Sequence, residues 1–205
     1  MHVLIAGITN TGKTTLAFEM AALYKKNGQR IIVLDPDLRP EWNVLSWHEN
    51  ITELDMKHGV MTDEPEQFLL ICKNAQSCAL FIDESGSMIG RYDTQLEWLA
   101  TQSRKWGHKS HFIMQRGSQV SPTVRNQCSS AFVFKQSPDD AKVLSNNFVC
   151  PAFLEAPSLK KFEYIAKIEV DGVAYKSKAE YDPKKYVASS ELPKSPTVKN
   201  NSKTS

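Results

Sequence analysis

No apolar stretch of this 205-residue sequence approaches the roughly 20 residues that span a bilayer, so no transmembrane segment is expected. Cysteine is scarce and scattered: Cys72, Cys78, Cys128 and Cys150 form no C-x-x-C pair, which argues against a zinc knuckle. Reduced, mostly buried thiols are the expectation, and a cytosolic compartment follows from them. No basic leader precedes an apolar segment. Val3-Leu4-Ile5-Ala6 runs straight into a glycine-rich loop, which reads as a strand and not as a signal peptide, so secretion is not expected. Acidic residues are missing altogether between Glu97 and Asp139, where Arg104, Lys105, Lys109, Arg116, Arg125 and Lys135 all fall. A solvated face is the ordinary account of such a run; contact with a polyanion is the functional one. Internal repeats are lacking too.

What remains is ordinary for a soluble globular chain: 41% hydrophobic and 23% charged residues, enough to bury a core without metals or disulfides. The net charge of +2 hides an asymmetry, because Lys184, Lys185, Lys194, Lys199 and Lys203 face only Glu191 beyond Pro183. From about Val187 the chain is rich in Ser, Pro, Lys and Asn and has little to bury, so residues 187–205 are expected to be a disordered basic tail. Residues 1–150 read as one core and 151–186 as an extension of the same domain.

Strand and helix patterns alternate along that core. Strands are expected at 2–6, 30–34, 79–82, 111–114 and 131–134, and helices at 13–27, 64–75, 92–105, 122–128 and 138–147. Residues 37–62 show little regularity, although Trp42 and Trp47 suggest a packed excursion. Phe162–Val170 and Val173–Lys178, joined by Asp171-Gly172, carry the signal of a hairpin. The alternation predicts an α/β fold in three layers: a mostly parallel central sheet, helices on both faces, and a C-terminal β-hairpin.

Gly7-Ile8-Thr9-Asn10-Thr11-Gly12-Lys13-Thr14 completes a G-x-x-x-x-G-K-T motif between a strand and a helix. Glycines let backbone N–H groups turn inward around phosphate oxygens, and the helix presents its positive end to them. The motif predicts nucleoside triphosphate binding by residues 7–14 with Thr15. Lys13 is expected at the β- and γ-phosphates and the Thr14 hydroxyl on Mg²⁺. Ala79-Leu80-Phe81-Ile82-Asp83-Glu84 is the natural second half. An apolar strand there places Asp83 at its carboxyl end to hold Mg²⁺, and Glu84 to polarise an attacking water. Gln115 ends the next strand and is expected to face the same crevice.

Other patterns carry less. His108 and His111 straddle a change from loop to strand and are not expected to share a metal. Asn50-Ile51-Thr52 is a glycosylation pattern without meaning in a cytosolic chain. Gly86-Ser87 does not complete a nucleophile elbow.

Together these residues resemble the FtsK–HerA superfamily of DNA-pumping ATPases. The likeness rests on Gly7–Thr14, Leu34-Asp35-Pro36, Asp83-Glu84 and above all Ser103-Arg104-Lys105-Trp106-Gly107 leading to Phe112-Ile113-Met114-Gln115. Pro122-Thr123-Val124-Arg125 and Phe132-Val133-Phe134-Lys135 extend it, to about Ser145. The resemblance implies a RecA-like ATPase core, with Arg104 as an arginine finger acting on a neighbouring subunit and Gln115 as a polar sensor; Arg116 and Arg125 compete for the finger's role. Small single-domain members look like the genome-packaging ATPases of icosahedral viruses with an internal membrane. The implied protein is therefore an ATP- and Mg²⁺-dependent motor. It would form a homo-oligomeric ring, move double-stranded DNA, and dock on a capsid or vertex protein of a virion, or work in the host cytoplasm. Lys105, Lys109, Arg116 and Arg125 are the candidates for DNA phosphate contact. A nucleoside kinase of the thymidine-kinase type, a filamentous-phage-type assembly ATPase and a nucleotide-gated switch stay open as alternatives.

Overall fold

Near-continuous apolar runs such as His2–Ala6 and Ala79–Ile82 are what a parallel sheet covered on both faces requires. The computed structural model describes residues 2–37, 39, 42, 60–83, 93–169 and 172–180. Among them the strands are β1 (His2–Ala6), β2 (Ile31–Leu34), β3 (Val60–Thr62), β4 (Ala79–Ile82), β5 (Lys109–Met114), β6 (Cys128–Val133), β7 (Glu163–Lys167) and β8 (Ala174–Lys178). They form one sheet in the order β3-β2-β4-β5-β1-β6-β7-β8. Pairing is parallel from β3 through β6 and antiparallel for β6, β7 and β8.

The two-residue period of the strands sorts side chains between two cores. Leu4, Ile32, Leu80, Phe112 and Ala131 pack under α2 (Pro65–Asn74), α3 (Asp93–Thr101), α4 (Pro122–Gln127) and α5 (Pro138–Asn147). Val3, Ile5, Val33, Phe81 and Phe132 meet α1 (Lys13–Lys26) on the other face, through Leu16, Ala17, Phe18 and Ala21. Trp42 fills that second core. It is fully buried, with ring centroids 5.9 Å from Phe18 and 5.7 Å from Phe81. Trp47 and the expected tail lie outside the described residues. Within 37–62, read as irregular, β3 adds an edge strand beside β2.

Several boundaries differ from the sequence pattern. The helix expected over 92–105 ends at Thr101 and gives way to a 3-10 turn at Ser103–Trp106. There the Ser103 hydroxyl donates to the Leu99 carbonyl (2.5 Å) and Gly107 closes the turn at φ 76°. β5 and β6 each start before the expected apolar runs, because Lys109, Ser110, Cys128 and Ser130 pair along the ladder despite their polarity. The hairpin strands are shorter than expected, and they join the main sheet at the β6 edge.

All four cysteines are free and buried. Burial pushes the thiols of Cys72, Cys78 and Cys128 up, to about 12 at Cys128. The histidines of β1 and β5 are held neutral. His111 is fully buried, with Nδ1 donating to the Leu80 carbonyl (3.0 Å) and Nε2 accepting from the Tyr24 hydroxyl (3.2 Å). His108 instead accepts from the Cys78 amide at Nδ1 and donates from Nε2 to the Cys72 carbonyl, on α2. The two rings therefore face opposite layers. Burial lowers the pKa of His111 to about 3; burial, with the nearby positive charge of Arg104 among the further causes, lowers that of His2 to about 4. Below 6.5 the unfolded chain binds protons that the folded chain refuses at both sites. Stability is thus full above that pH and falls as pH drops towards 4, by up to about 1.4 kcal/mol per pH unit for each histidine. Urea midpoints are expected to be lower near pH 5 than near pH 7.5.

Candidate functional site

β1 ends at Ala6 in the middle of the sheet, and the chain then wraps back over its own end. A Cβ on Gly7 would stand 2.6 Å from the Phe134 Cβ and 2.7 Å from the Thr11 hydroxyl, so the loop closes only around glycine. Asn10 (φ 63°) and Gly12 (φ 112°) take left-handed backbone and turn the chain into α1. The Ile8 carbonyl accepts from both the Thr11 hydroxyl (2.7 Å) and Lys13 Nζ (3.1 Å), which folds the lysine across the loop. First-turn amides of a helix have no intrahelical acceptor, so α1 aims its positive end at whatever the loop encloses. Thr9, Asn10, Gly12, Lys13, Thr14 and Thr15 line a cavity of about 420 Å³, completed by Phe18, Arg39, Lys161 and Phe162. That volume suits a small ligand of nucleotide size.

One flank of the loop is acidic. Asp83 follows β4, is fully buried, and has Oδ2 3.2 Å from the Thr14 hydroxyl, which donates to it. Asp35, also fully buried, follows β2 and accepts from the amides of Asp37 (3.1 Å) and Arg39 (2.8 Å). This Asx-type turn swings Arg39 back over the sheet edge. Its Nη1 donates to Asp83 Oδ2 (2.5 Å) and to the Thr14 hydroxyl (3.3 Å), and its Nη2 to Asp37 (2.7 Å). Burial opposes the charge on Arg39, but Asp83, Asp35 and Asp37 outweigh it and raise the pKa above the ordinary arginine value. Two hard oxygens at this spacing that already hold a cationic group fit a divalent ion. Sequence reasoning passed over Arg39. The only trace was Asp35-Pro36 at a strand end, shortly before an arginine.

Arg39→Met is expected to lower stability by about 2–4 kcal/mol, because Asp83 then stays buried without its guanidinium. Mg²⁺ with ADP is expected to restore most of the loss and EDTA to reverse the rescue, read as thermal midpoints.

The strand bearing Asp83 does not adjoin β1. β5 lies between them, so its carboxyl end brings Gln115 to the same edge of the sheet as the loop and Asp83. The Gln115 carbonyl accepts from Gln136 Nε2 (3.2 Å). Glu84 lies outside the described residues. Arg104 goes elsewhere: the 3-10 turn that carries it precedes β5 and is tied to the start of β4 through Ser77 N and the Trp106 carbonyl (2.8 Å). β5 has six residues, so Arg104 and Gln115 are separated by about 20 Å of strand. Arg104 is exposed and cannot reach the loop.

Nor do the basic residues of the 104–135 run form one stripe. Lys105 and Lys109 share the amino edge with Arg104, and Lys109 Nζ stands 5.6 Å from the Tyr24 ring. Arg116 and Lys135 are exposed at the carboxyl edge. Arg125 is half-buried and donates to the carbonyls of Gly117 (3.0 Å) and Val120 (2.5 Å), so its guanidinium braces the loop after β5.

No family model and no curated protein sequence matches the chain. Solved structures do. The genome-packaging NTPase B204 from Sulfolobus turreted icosahedral virus 2, in complex with AMPPCP, aligns at TM-score 0.71 and 16% identity, over 88% of this chain and 98% of that one. VirB4 of Thermoanaerobacter pseudethanolicus aligns at TM-score 0.67 and 9% identity, over 89% of this chain and 90% of that one. The pCW3 conjugation coupling protein TcpA with ATPγS aligns at TM-score 0.65 and 17% identity, over 90% of this chain but 61% of that one. The P-loop NTPase fold is thus established, and the likeness to these proteins is one of fold.

Proposed function

From the premise of a P-loop NTPase fold shared with a viral packaging NTPase, we propose that this chain is an ATPase that works as a ring and drives double-stranded DNA into a preformed capsid. The observation that supports it is the division of β5: Gln115 follows its carboxyl end, the sheet edge that also carries the loop and Asp83, while Arg104 precedes its amino end.

In this reading the loop amides and Lys13 hold the triphosphate, while Thr14 and Asp83 hold Mg²⁺ once Arg39 has yielded the two oxygens. Held there, Mg²⁺ would supply charge neutralisation on the phosphates. Glu84 accepts the proton of the attacking water, and Gln115 positions that water against the terminal phosphate. Arg104 stabilises charge on the phosphates of the next subunit. The site is therefore complete only between two copies of the chain. Lys105, Lys109, Arg116, Arg125 and the lysines beyond Pro183 are the candidates for DNA backbone contact, with exposed Arg116 favoured over braced Arg125. A capsid or vertex protein would dock the ring, at the packaging vertex of a virion or in the host cytoplasm.

ATP hydrolysis measured with and without duplex DNA tests this reading. Stimulation by duplex of any sequence, weakening steeply as salt rises, is the expected result. Equal rates with and without duplex would count against a DNA motor.

A further inference from the structure

The turn before β7 is bound to the loop in a way that phosphate binding does not require. The Phe162 amide donates to the Thr11 carbonyl (2.7 Å), and the Ala179 amide donates to the Phe162 carbonyl (2.9 Å), so the residue is clamped between the loop and the end of β8. Phe162 takes left-handed backbone at φ 69°, an unfavourable conformation for an aromatic residue that persists where surrounding contacts impose it. Its ring lies against Gly12: a Cβ there would stand 2.7 Å from Phe162 Cδ1. The ring is part-exposed and lines the cavity, together with Phe18 and Lys161.

Topology sets the direction of a bound nucleotide. Asp83 and Arg39 mark the cation side, reached from β4, and Gln115 stands on the same side at the end of β5. Phe162 enters from β7, beyond β6, on the opposite side of β1. A triphosphate whose terminal groups lie towards Asp83 must send its sugar and base the other way. The exposed Lys161 ammonium stands 5.0 Å from the Phe162 ring centroid, so this ring face is reachable from solvent. A base stacking there would replace a weak cation–π contact.

We propose that Phe162 is the platform on which the nucleobase of the bound triphosphate stacks. A phenyl face reads no hydrogen-bond pattern, so the platform takes adenine and guanine alike. This assignment rests on the reading of Gly7–Thr14 as a nucleotide loop.

Isothermal titration of the full chain with ADP, GDP and inorganic tripolyphosphate tests it. Phe162→Leu keeps an apolar side chain over Gly12 but removes the π-face. It is expected to weaken ADP and GDP equally, by about 5- to 100-fold, with tripolyphosphate affinity unchanged. Phe162→Tyr is expected to keep parental affinities. Unchanged ADP affinity in Phe162→Leu overturns the platform. Equal weakening of tripolyphosphate also overturns it, by showing that Phe162 serves only to shape the loop. Failure of tripolyphosphate to bind the parent chain would instead sink the nucleotide-loop reading itself.

Discussion

Arg104→Ala is expected to lower ATP turnover by about 10³- to 10⁵-fold while leaving ATP affinity within about twofold of the parent. The asymmetry follows from position. An arginine about 20 Å of strand away from Gln115 makes no contact with the nucleotide of its own subunit, so it adds nothing to ground-state binding there. In the proposed ring its contribution would arise when charge develops on the phosphates of the neighbour, in a site closed off by the subunit contact, where a guanidinium counts for far more than in water. Folding is not expected to suffer, since Arg104 is exposed and the 3-10 turn is fixed by Ser103 and Gly107. Arg125→Ala should behave differently: it removes the brace on the Gly117 and Val120 carbonyls and costs stability first.

Glu84→Gln is the second large effect. Removing the proposed base for the attacking water is expected to reduce turnover by about 10²- to 10⁴-fold, while Mg·ATP binding through the proposed Lys13, Thr14 and Asp83 is expected to survive. The two variants are complementary. In the proposed ring, mixing would create interfaces at which an Arg104→Ala subunit contributes its intact Glu84 and a Glu84→Gln neighbour contributes its intact Arg104. Those interfaces hold one complete site, so mixing two inactive preparations is expected to regain activity. A mixture as inactive as its parts would refute the trans role.

The features legible in the sequence are those whose chemistry is local. Gly7–Thr14 builds its turn from consecutive residues, and Ala79–Ile82 announces Asp83 by an apolar run that must end at a sheet edge. Long-range neighbours were harder. β5 separates the strands of Lys13 and Asp83, and nothing in the spacing of those motifs reports an inserted strand. Arg39 reaches Asp83 across 44 positions of chain, through a turn that depends on the buried carboxylate of Asp35. Phe162 meets Gly12 because β7 pairs with β6, which no local pattern dictates. The basic run from Arg104 to Lys135 is divided for a related reason. Charges contiguous in sequence straddle a strand, and a strand carries them to opposite edges of the sheet.

Displacement of a third strand from duplex DNA tests the central claim most directly, because it reads movement along DNA and not hydrolysis alone. With ATP and Mg²⁺ the parent chain is expected to strip a triplex-forming oligonucleotide from a long duplex, and Glu84→Gln is expected to leave it in place. A parent chain that hydrolyses ATP at full rate on this substrate yet leaves the third strand bound would contradict a DNA-translocating motor.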